Sequence, residues 1–420
     1  MPMNANDLKS IKSEIYLWGA RQLGLSTLNV LRRKYNIEPA GFVDSSPDLQ
    51  GHPVHGLMVE APSKILARPR GDYFIIITSG FFYEEISEIC QKHGLVEGEN
   101  FVTAASLQRF DYQIDVSGSC NLKCISCPRG NYPLQPQAGF MKPETFEKVL
   151  DKILAEDPFV GAVALYNFGE PLLNPHLPQI IRLAHARGIQ SAISTNLSFN
   201  IDLTETVKAA PAWFRVSVSG WQDNYEVTHT GGNWKLFLKN LKRLHELKNQ
   251  YTPDLNVEVF YHIYKNRESD QQKLAALCAE LGFPLRLRHA ALAPLDIVSD
   301  IIHQRPLPPQ AAATQRLQLL SIEKAMEIAR QQKDMPCPYQ RCLWITWDLK
   351  VRQCMEWFAP ELDLAPNYLD IPIDEIEKRR RESAHCRQCM SEAIHRCYIV
   401  YGDESLIGHL EGGAEAPAAP

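Results

Sequence analysis

No stretch of this 420-residue chain is apolar for long enough to cross a bilayer as a helix. Its longest apolar runs, such as Tyr73 to Thr78, have the length of strands. The segment MPMNANDLKSIKSE at the start of the sequence is polar and lacks the apolar core of a signal peptide. Excess positive charge is lacking too: 44 Lys and Arg stand against 49 Asp and Glu, a formal net charge of −5. That excludes a global basic field of the kind that draws nucleic acid or anionic lipid, so neither partner is expected. There is no internal repeat. These absences make the cytoplasm the expected location.

What is present is a chain of 45% hydrophobic and 22% charged residues, the profile of a globular protein. Its length exceeds one ordinary core, so two or three domains are expected. Eleven cysteines then need a reason. In a reducing compartment clustered cysteines read as metal ligands or catalytic groups rather than disulfides. Cys90 and Cys278 stand alone, three cysteines fall at 120, 124 and 127, and six lie between 337 and 397. Two metal-binding regions are expected.

Residues 1–108 read as a Rossmann-like α/β domain. Glu14 to Trp18 is a short apolar strand, followed by Gly19-Ala-Arg-Gln-Leu-Gly24 and a helical pattern to Tyr35. A second strand, Ala40 to Asp44, ends in an acidic residue, and Tyr73 to Ser79 has the composition of a buried parallel strand. The Gly-x4-Gly loop is not the full dinucleotide fingerprint. Two readings stay open: a nucleotide or nucleotide-sugar site with Asp44 on a ribose, or a packing module without ligand.

Residues 109–300 alternate strands and helices. The expected strands are 112–116, 161–166, 190–194, 214–219, 257–263 and 285–289, and the expected helices are 143–155, 178–186, 204–209, 235–248 and 270–281. Six βα units in series predict a parallel sheet curved into a partial (β/α)6 TIM barrel, with functional residues at the C-terminal strand ends. Residues 301–336 read as a connector, proline-rich at first and helical from Ala311 to Lys333. Residues 337–402 form a small cysteine-rich domain, and 403–420 is a low-complexity tail expected to be partly disordered.

Cys120-Asn-Leu-Lys-Cys124-Ile-Ser-Cys127 has the spacing C-x3-C-x2-C and follows the first barrel strand. Three thiolates on a short loop can hold three irons of a 4Fe-4S cube, leaving one metal position open. A zinc site is the alternative, but zinc sites usually close with four ligands, and no fourth Cys or His is near in sequence. On this loop the chain resembles the radical S-adenosylmethionine (SAM) superfamily over roughly residues 110 to 295. The resemblance implies that SAM binds the open iron through its amino and carboxylate groups, and that its cleavage releases a 5′-deoxyadenosyl radical. Ile125 departs from the aromatic residue usual there. Gly169-Glu170-Pro171 matches the family's glycine-glutamate motif for the SAM amino group, with Phe168 in place of its first glycine. Ser194 and Asn196 end the third strand and Ser217 and Ser219 the fourth, where the resemblance implies contacts to the ribose or carboxylate of SAM.

Cys337, a hairpin from Leu343 to Cys354, and Cys386-Arg-Gln-Cys389 resemble the C-terminal extension called SPASM, or its shortened twitch form. That resemblance implies one auxiliary 4Fe-4S cluster on Cys337, Cys354, Cys386 and Cys389. Leu349 replaces the usual turn glycine. Structural zinc is again the alternative. Cys342 and Cys397 are spare in this frame. They are either buried thiols and alternate ligands, or one of them is catalytic and donates a hydrogen atom to a substrate radical. His229, His262 and His289 lie near strand ends, where packing or substrate contact are both open, and Trp221 and Trp234 are expected in the core.

The resemblance implies a SAM-dependent radical oxidoreductase or epimerase acting on a substrate C–H centre. It needs a reductant such as flavodoxin or ferredoxin. The Rossmann-like domain favours a small-molecule, carbohydrate or nucleotide-linked substrate by fold analogy. The alternatives are a maturase of a ribosomally made peptide and, of another class, a non-catalytic iron-sulfur or zinc scaffold.

Overall fold

The computed structural model describes residues 7–79, 83–133 and 137–402. The chain divides into two compact units. The first takes the residues up to Asp111 with Leu150–Ala162 and Ala184–Gln190. The second takes Tyr112–Val149, Val163–Leu183 and the chain from Ser191 onward. The connector and the cysteine-rich region therefore belong to the same unit as the barrel strands. The tail from 403 lies outside the described residues.

The first unit is built on β1 (Glu14–Trp18), β2 (Gly41–Val43), β3 (Pro53–Val54), β4 (Leu57–Glu60), β5 (Tyr73–Ile77) and β6 (Phe101–Thr103), in the order β3-β4-β2-β1-β5-β6. All pairings are parallel except β3 with β4. The apolar runs of β1 and β5 are explained by burial on both faces. Ile15, Leu17, Phe74 and Ile76 enter one core, while Tyr16, Trp18, Ile75 and Ile77 enter another. Helix Gln22–Val30 follows β1 directly. Gly24 is required there, since a Cβ on it would stand 2.0 Å from the Gly19 carbonyl oxygen. Asp44 ends β2 as the sequence predicts, but its carboxylate is engaged by the chain itself. It accepts from the amides of Ala20 and Ser46, each at 2.9 Å, which fixes the glycine turn from inside.

The second unit carries β7 (Asp111–Ile114), β8 (Ala162–Ala164), β9 (Gln190–Thr195), β10 (Trp213–Val218), β11 (Val257–Ile263) and β12 (Leu285–His289) in that spatial order. The hairpin β13 (Cys342–Ile345) and β14 (Val351–Arg352) extends the sheet beyond β7. The pairs β7–β8, β9–β10, β10–β11 and β11–β12 are parallel. The sheet stays open, as a partial TIM barrel does. Period-two patterning sets its faces. In β10, Phe214, Val216 and Val218 are buried, whereas Trp213, Arg215 and Ser217 on the other face are half-buried. Among the described residues no helix is long and apolar enough to cross a membrane.

The single helix expected from Ala311 to Lys333 is two helices, Pro309–Gln315 and Ile322–Gln331. The break has a local cause. Ser321 caps the second helix, its hydroxyl accepting from the Lys324 amide. Gln318 is drawn away from helix to bridge Tyr264, and its side-chain amide donates to the Ala290 carbonyl at 3.0 Å. The helix begun at Ile322 buries Ala325, Met326 and Ala329 in one core with Leu292, Tyr398 and Tyr401. Removing the cap in Ser321→Ala should cost about 1 kcal/mol, seen as a lower urea midpoint at unchanged slope. An unchanged midpoint would mean that tertiary packing alone ends the helix.

Candidate functional site

The loop after β7 is held by backbone bonds on both sides. The Lys123 amide donates to the Thr230 carbonyl at 2.8 Å, and the Ile125 amide to Thr228 at 3.2 Å. The Ile125 carbonyl accepts from Asn131 Nδ2 and Thr314 Oγ1. Cys127 leads into a one-turn helix, Pro128–Asn131, whose proline sits at its favoured first position. Gly130 lets this turn fold back, since a Cβ there would meet the Lys123 and Cys124 carbonyl oxygens at 2.4 and 2.3 Å. These contacts place Cys120, Cys124 and Cys127 on one buried loop, where Cys124 feels the charges of both other sulfurs, but among the described residues no group of three or more His, Cys, Asp or Glu side chains converges closely enough to hold a metal ion. Each thiol is pushed up first by burial, and the other sulfurs add to the shift at Cys120 and Cys124. Cys120 rises to about 12. Polar hydrogens nevertheless face its sulfur: the Leu122 amide at 3.4 Å and Asn196 Nδ2 at 4.0 Å. Donors aimed at sulfur suit a thiolate, the form that binds metal.

The glycine-glutamate turn closes on this loop. A Cβ on Gly169 would fall 1.6 Å from the Ser117 carbonyl oxygen, so only glycine fits. The Glu170 amide donates to the Ser119 carbonyl at 2.8 Å. Its buried carboxylate accepts from the Leu172 amide at 3.0 Å and the Asn196 amide at 2.8 Å. Burial outweighs these bonds and raises the carboxyl to about 7. Pro171 opens the short turn that follows. Glu170 thus ties the ends of β7, β8 and β9, and its carboxylate also takes a hydrogen bond from the Thr195 side chain. Asn196 completes the tie: Nδ2 donates to Asn121 Oδ1 at 3.0 Å and Oδ1 accepts from the Ser198 amide.

The serines divide. Ser194 and Ser217 face each other across β9 and β10, 3.3 Å between hydroxyls, and both are half-buried. Ser219 is buried, and its hydroxyl accepts from the His262 amide at 3.1 Å, which joins β10 to β11. His229 is buried and stacked on Tyr225, with Nδ1 3.0 Å from Thr228 Oγ1; burial lowers it to about 4. His262 falls to about 3 for the same reason, helped by Arg288, and His289 is fully buried. Trp221 and Trp234 pack together, ring centroids 4.7 Å apart, with Trp234 against the buried Tyr225 and Phe237.

In the C-terminal region Cys337, Cys354, Cys386 and Cys389 line one cavity, with Tyr339 and Trp357 among its walls. Two sulfurs again receive donors: Gln353 Nε2 lies 2.9 Å from Cys386 Sγ and the Glu356 amide 3.5 Å from Cys354 Sγ. Leu349 takes the left-handed conformation (φ 71°), so the hairpin turn forms without its glycine. Cys342 and Cys397 stand outside this lining. Cys397 is sealed in the apolar core with Tyr398 and Tyr401, which drives its thiol far upward. Cys342 is half-buried beside Pro338, whose carbonyl its sulfur approaches at 3.8 Å.

Sequence reasoning missed three groups. Asp115 lies between apolar neighbours at the end of β7; burial raises its carboxyl to about 7, against the Arg129 charge and the Ser117 and Asn167 backbone amides. Arg129 donates to the carbonyls of Phe168 and Gly118 and holds the two loops together. Glu356, two residues after Cys354, is raised to about 7 by burial. A charged residue at an otherwise apolar strand end was the readable signal for Asp115 alone.

Gly169→Ala should lower stability by about 3 kcal/mol or more, the range of a strained special site. Gly71→Ala, with open space around its Cβ, should stay within about 0.5 kcal/mol. Urea unfolding of both variants checks this, and equal midpoints would show that the Ser117 backbone yields freely.

The family model described as the Radical SAM superfamily matches residues 114–266. Two curated relatives, both GTP 3',8-cyclase 1 from Mycobacterium tuberculosis (strains CDC 1551 / Oshkosh and ATCC 25618 / H37Rv), are 31% identical over 116 residues. The match takes 26% of this chain and spans 31% of the length of those relatives. Among solved structures, native anSMEcpe with bound AdoMet is similar at 16% identity and a TM-score of 0.44, over 68% of this chain and 88% of that one. Streptococcus suis SuiB bound to precursor peptide SuiA is similar at 14% identity and a TM-score of 0.46, over 76% and 84%. BtrN in complex with AdoMet and 2-DOIA is similar at 15% and 0.38, over 68% and 90%. The stretch matched by that model, 114–266, holds the three-cysteine loop, the Gly169-Glu170 turn and the ends of β9 and β10.

Proposed function

We propose that the protein is a radical SAM enzyme that oxidises a substrate C–H centre, with Cys120, Cys124 and Cys127 holding the SAM-binding 4Fe-4S cluster. One observation carries the reading: within the matched stretch, the Gly169-Glu170 turn is tied to the loop and sulfur of Cys120 by the Ser117, Ser119 and Asn196 contacts. The donor set suits such a group in its chemistry, since three thiols share one loop and Cys120 receives N–H donors, although the side chains as they stand do not converge on a metal position. When bound, the cluster would supply the electron that cleaves SAM to the 5′-deoxyadenosyl radical, itself drawn from a reductant of the flavodoxin or ferredoxin kind.

The chain's own residues would do the rest. Glu170 accepts a hydrogen bond from the SAM ammonium through its remaining lone pairs, and a carboxylate is the natural partner for that group. Ser194 and Ser217 offer hydroxyls to the ribose or carboxylate, whereas Ser219 acts through the backbone of His262. Cys337, Cys354, Cys386 and Cys389 would hold one auxiliary 4Fe-4S cluster, to which a substrate radical could pass its electron. Oxidation is favoured over epimerisation because Cys397 lies in the apolar core, away from any solvent path to a substrate. Cys342 keeps partial exposure and remains the thiol to test as a hydrogen donor.

A carbohydrate or nucleotide-linked substrate is preferred. The curated relatives are named for GTP, and the first unit has Rossmann-like strand order. A peptide substrate would instead reveal itself by tight binding of a precursor peptide.

Anaerobic reconstitution should load about eight irons per chain, and reduction with SAM should release 5′-deoxyadenosine. The double variant Cys386→Ser, Cys389→Ser should keep about four irons and still cleave SAM, while losing turnover of substrate. Zinc in place of iron, or no cleavage by fully loaded protein, would leave the scaffold reading instead.

A further inference from the structure

Each sulfur on the wall of the four-cysteine cavity meets an N–H group. Cys337 receives the Tyr339 and Gln340 amides, Cys354 the Glu356 amide at 3.5 Å, and Cys389 the His395 amide. Cys386 is met by a side chain instead: Gln353 Nε2 stands 2.9 Å from its sulfur. The two spare cysteines differ. Cys342 turns its own S–H to the Pro338 carbonyl at 3.8 Å, and Cys397 is sealed in the apolar core. The donor shell therefore follows the cavity and not cysteine as such. Backbone amides are supplied by any sequence, whereas the donor to Cys386 depends on the side chain at 353. The Trp357 indole N–H is near Cys389 but makes no hydrogen bond of good geometry.

Both ends of this contact are fixed. Gln353 is 5% exposed and lies between the last residue of β14 and Cys354. Cys386 sits in the first turn of helix Ala384–Ser391, where its amide donates to the Ser383 hydroxyl at 3.2 Å. The contact thus ties the end of the hairpin to the C-x2-C helix across 33 residues of chain. A cation stands behind the shell. Arg380 is buried and donates to the carbonyls of Gln340 and Cys342 at 2.9 and 2.7 Å, and its charge is felt at the sulfurs of Cys354, Cys386 and Cys337. Donors and a cation alike favour negative charge on sulfur.

We propose that Gln353 is a positioning residue that acts through Cys386 to raise the reduction potential of the auxiliary cluster. Reduction adds one electron, and part of the added charge falls on the thiolate sulfurs. A hydrogen bond to sulfur stabilises that more negative form by more than it stabilises the oxidised one, so the potential rises with such bonds. At the loop after β7 the side-chain donor to sulfur, Asn196 Nδ2, stands 4.0 Å from Cys120. The same device is therefore tighter at Cys386. The inference rests on the auxiliary cluster of the proposed function and concerns the shell that this chain builds around it.

The test is a redox titration of the reconstituted full chain followed by electron paramagnetic resonance. The auxiliary couple is the wave that the variant Cys386→Ser, Cys389→Ser lacks. Gln353→Met keeps the side-chain length and loses the donor. In it the ratio of reduced to oxidised auxiliary cluster should fall at least about tenfold at a fixed solution potential, which is about 59 mV for a one-electron couple. Gln353→Asn leaves its carboxamide one methylene short of the sulfur and should fall likewise. Gln388→Leu removes an exposed carboxamide from the same helix, one bonded to Glu392 at 3.0 Å, and should leave the wave in place. Iron content and the unfolding midpoint of each variant report loading and folding. An unmoved wave in fully loaded Gln353→Met, or an equal shift in Gln388→Leu, would overturn the proposal. Loss of the auxiliary irons in both Gln353 variants would overturn it as well and make the residue a structural support. Failure of the proposed function would look different: wild type with no auxiliary wave, or iron-loaded wild type that does not cleave SAM.

Discussion

The approach of Gly169 to Ser117 governs the site. With no room for a Cβ between them, the turn after β8 can lie directly against the loop leaving β7. That contact lets the Glu170 amide reach Ser119 and its carboxylate reach Asn196 at the end of β9. Asn196 then extends to Asn121 and the sulfur of Cys120. Three strand ends and the cysteine loop are therefore one hydrogen-bonded body. Glu170 is an architectural knot, and it is the carboxylate proposed for the SAM ammonium. The buried position that raises its pKa also strengthens any charge-assisted bond it makes.

The C-terminal hairpin extends that body rather than standing apart. It joins the sheet beside β7, where the Asp115 amide donates to the Ile345 carbonyl at 2.8 Å. Phe168, next to the glycine-glutamate turn, packs edge-on against Trp344 and Phe358, with centroids 5.7 and 5.4 Å apart. Arg129 binds the Phe168 carbonyl from the cysteine loop. A disturbance at the second cysteine region therefore has a short packed route to the first. Packed aromatic contacts of this kind transmit displacement because interiors are dense.

In the first unit the carboxylate at the end of β2 serves the chain's own turn. The strand order, the glycine turn and the acidic end of β2 are all present. Yet Asp44 spends its carboxylate on Ala20 and Ser46. A residue type at a motif position fixes only what chemistry is available there. Which donor it meets is decided by the turn.

Much of this was legible in the chain alone. Cysteine spacing marked the loop after β7 and the C-terminal cysteine region as the places to look, because ligand geometry demands short, fixed separations. Period-two and apolar runs placed β11 and β12 to the residue, because both strands are paired on the pleat along their length and β11 is largely buried. The helix from Ala311 was overextended, because a helical period runs on through Ser321 unless one knows that Gln318 is bound elsewhere. Only the tertiary structure gathered Cys337, Cys354, Cys386 and Cys389 on one cavity while leaving Cys342 and Cys397 outside it, and only it set Asp115 and Trp347 on the wall of another. Spacing encodes what neighbours in sequence can do; which thiol or carboxylate meets which from more than 200 residues away is fixed by packing and strand order, where no local pattern reaches.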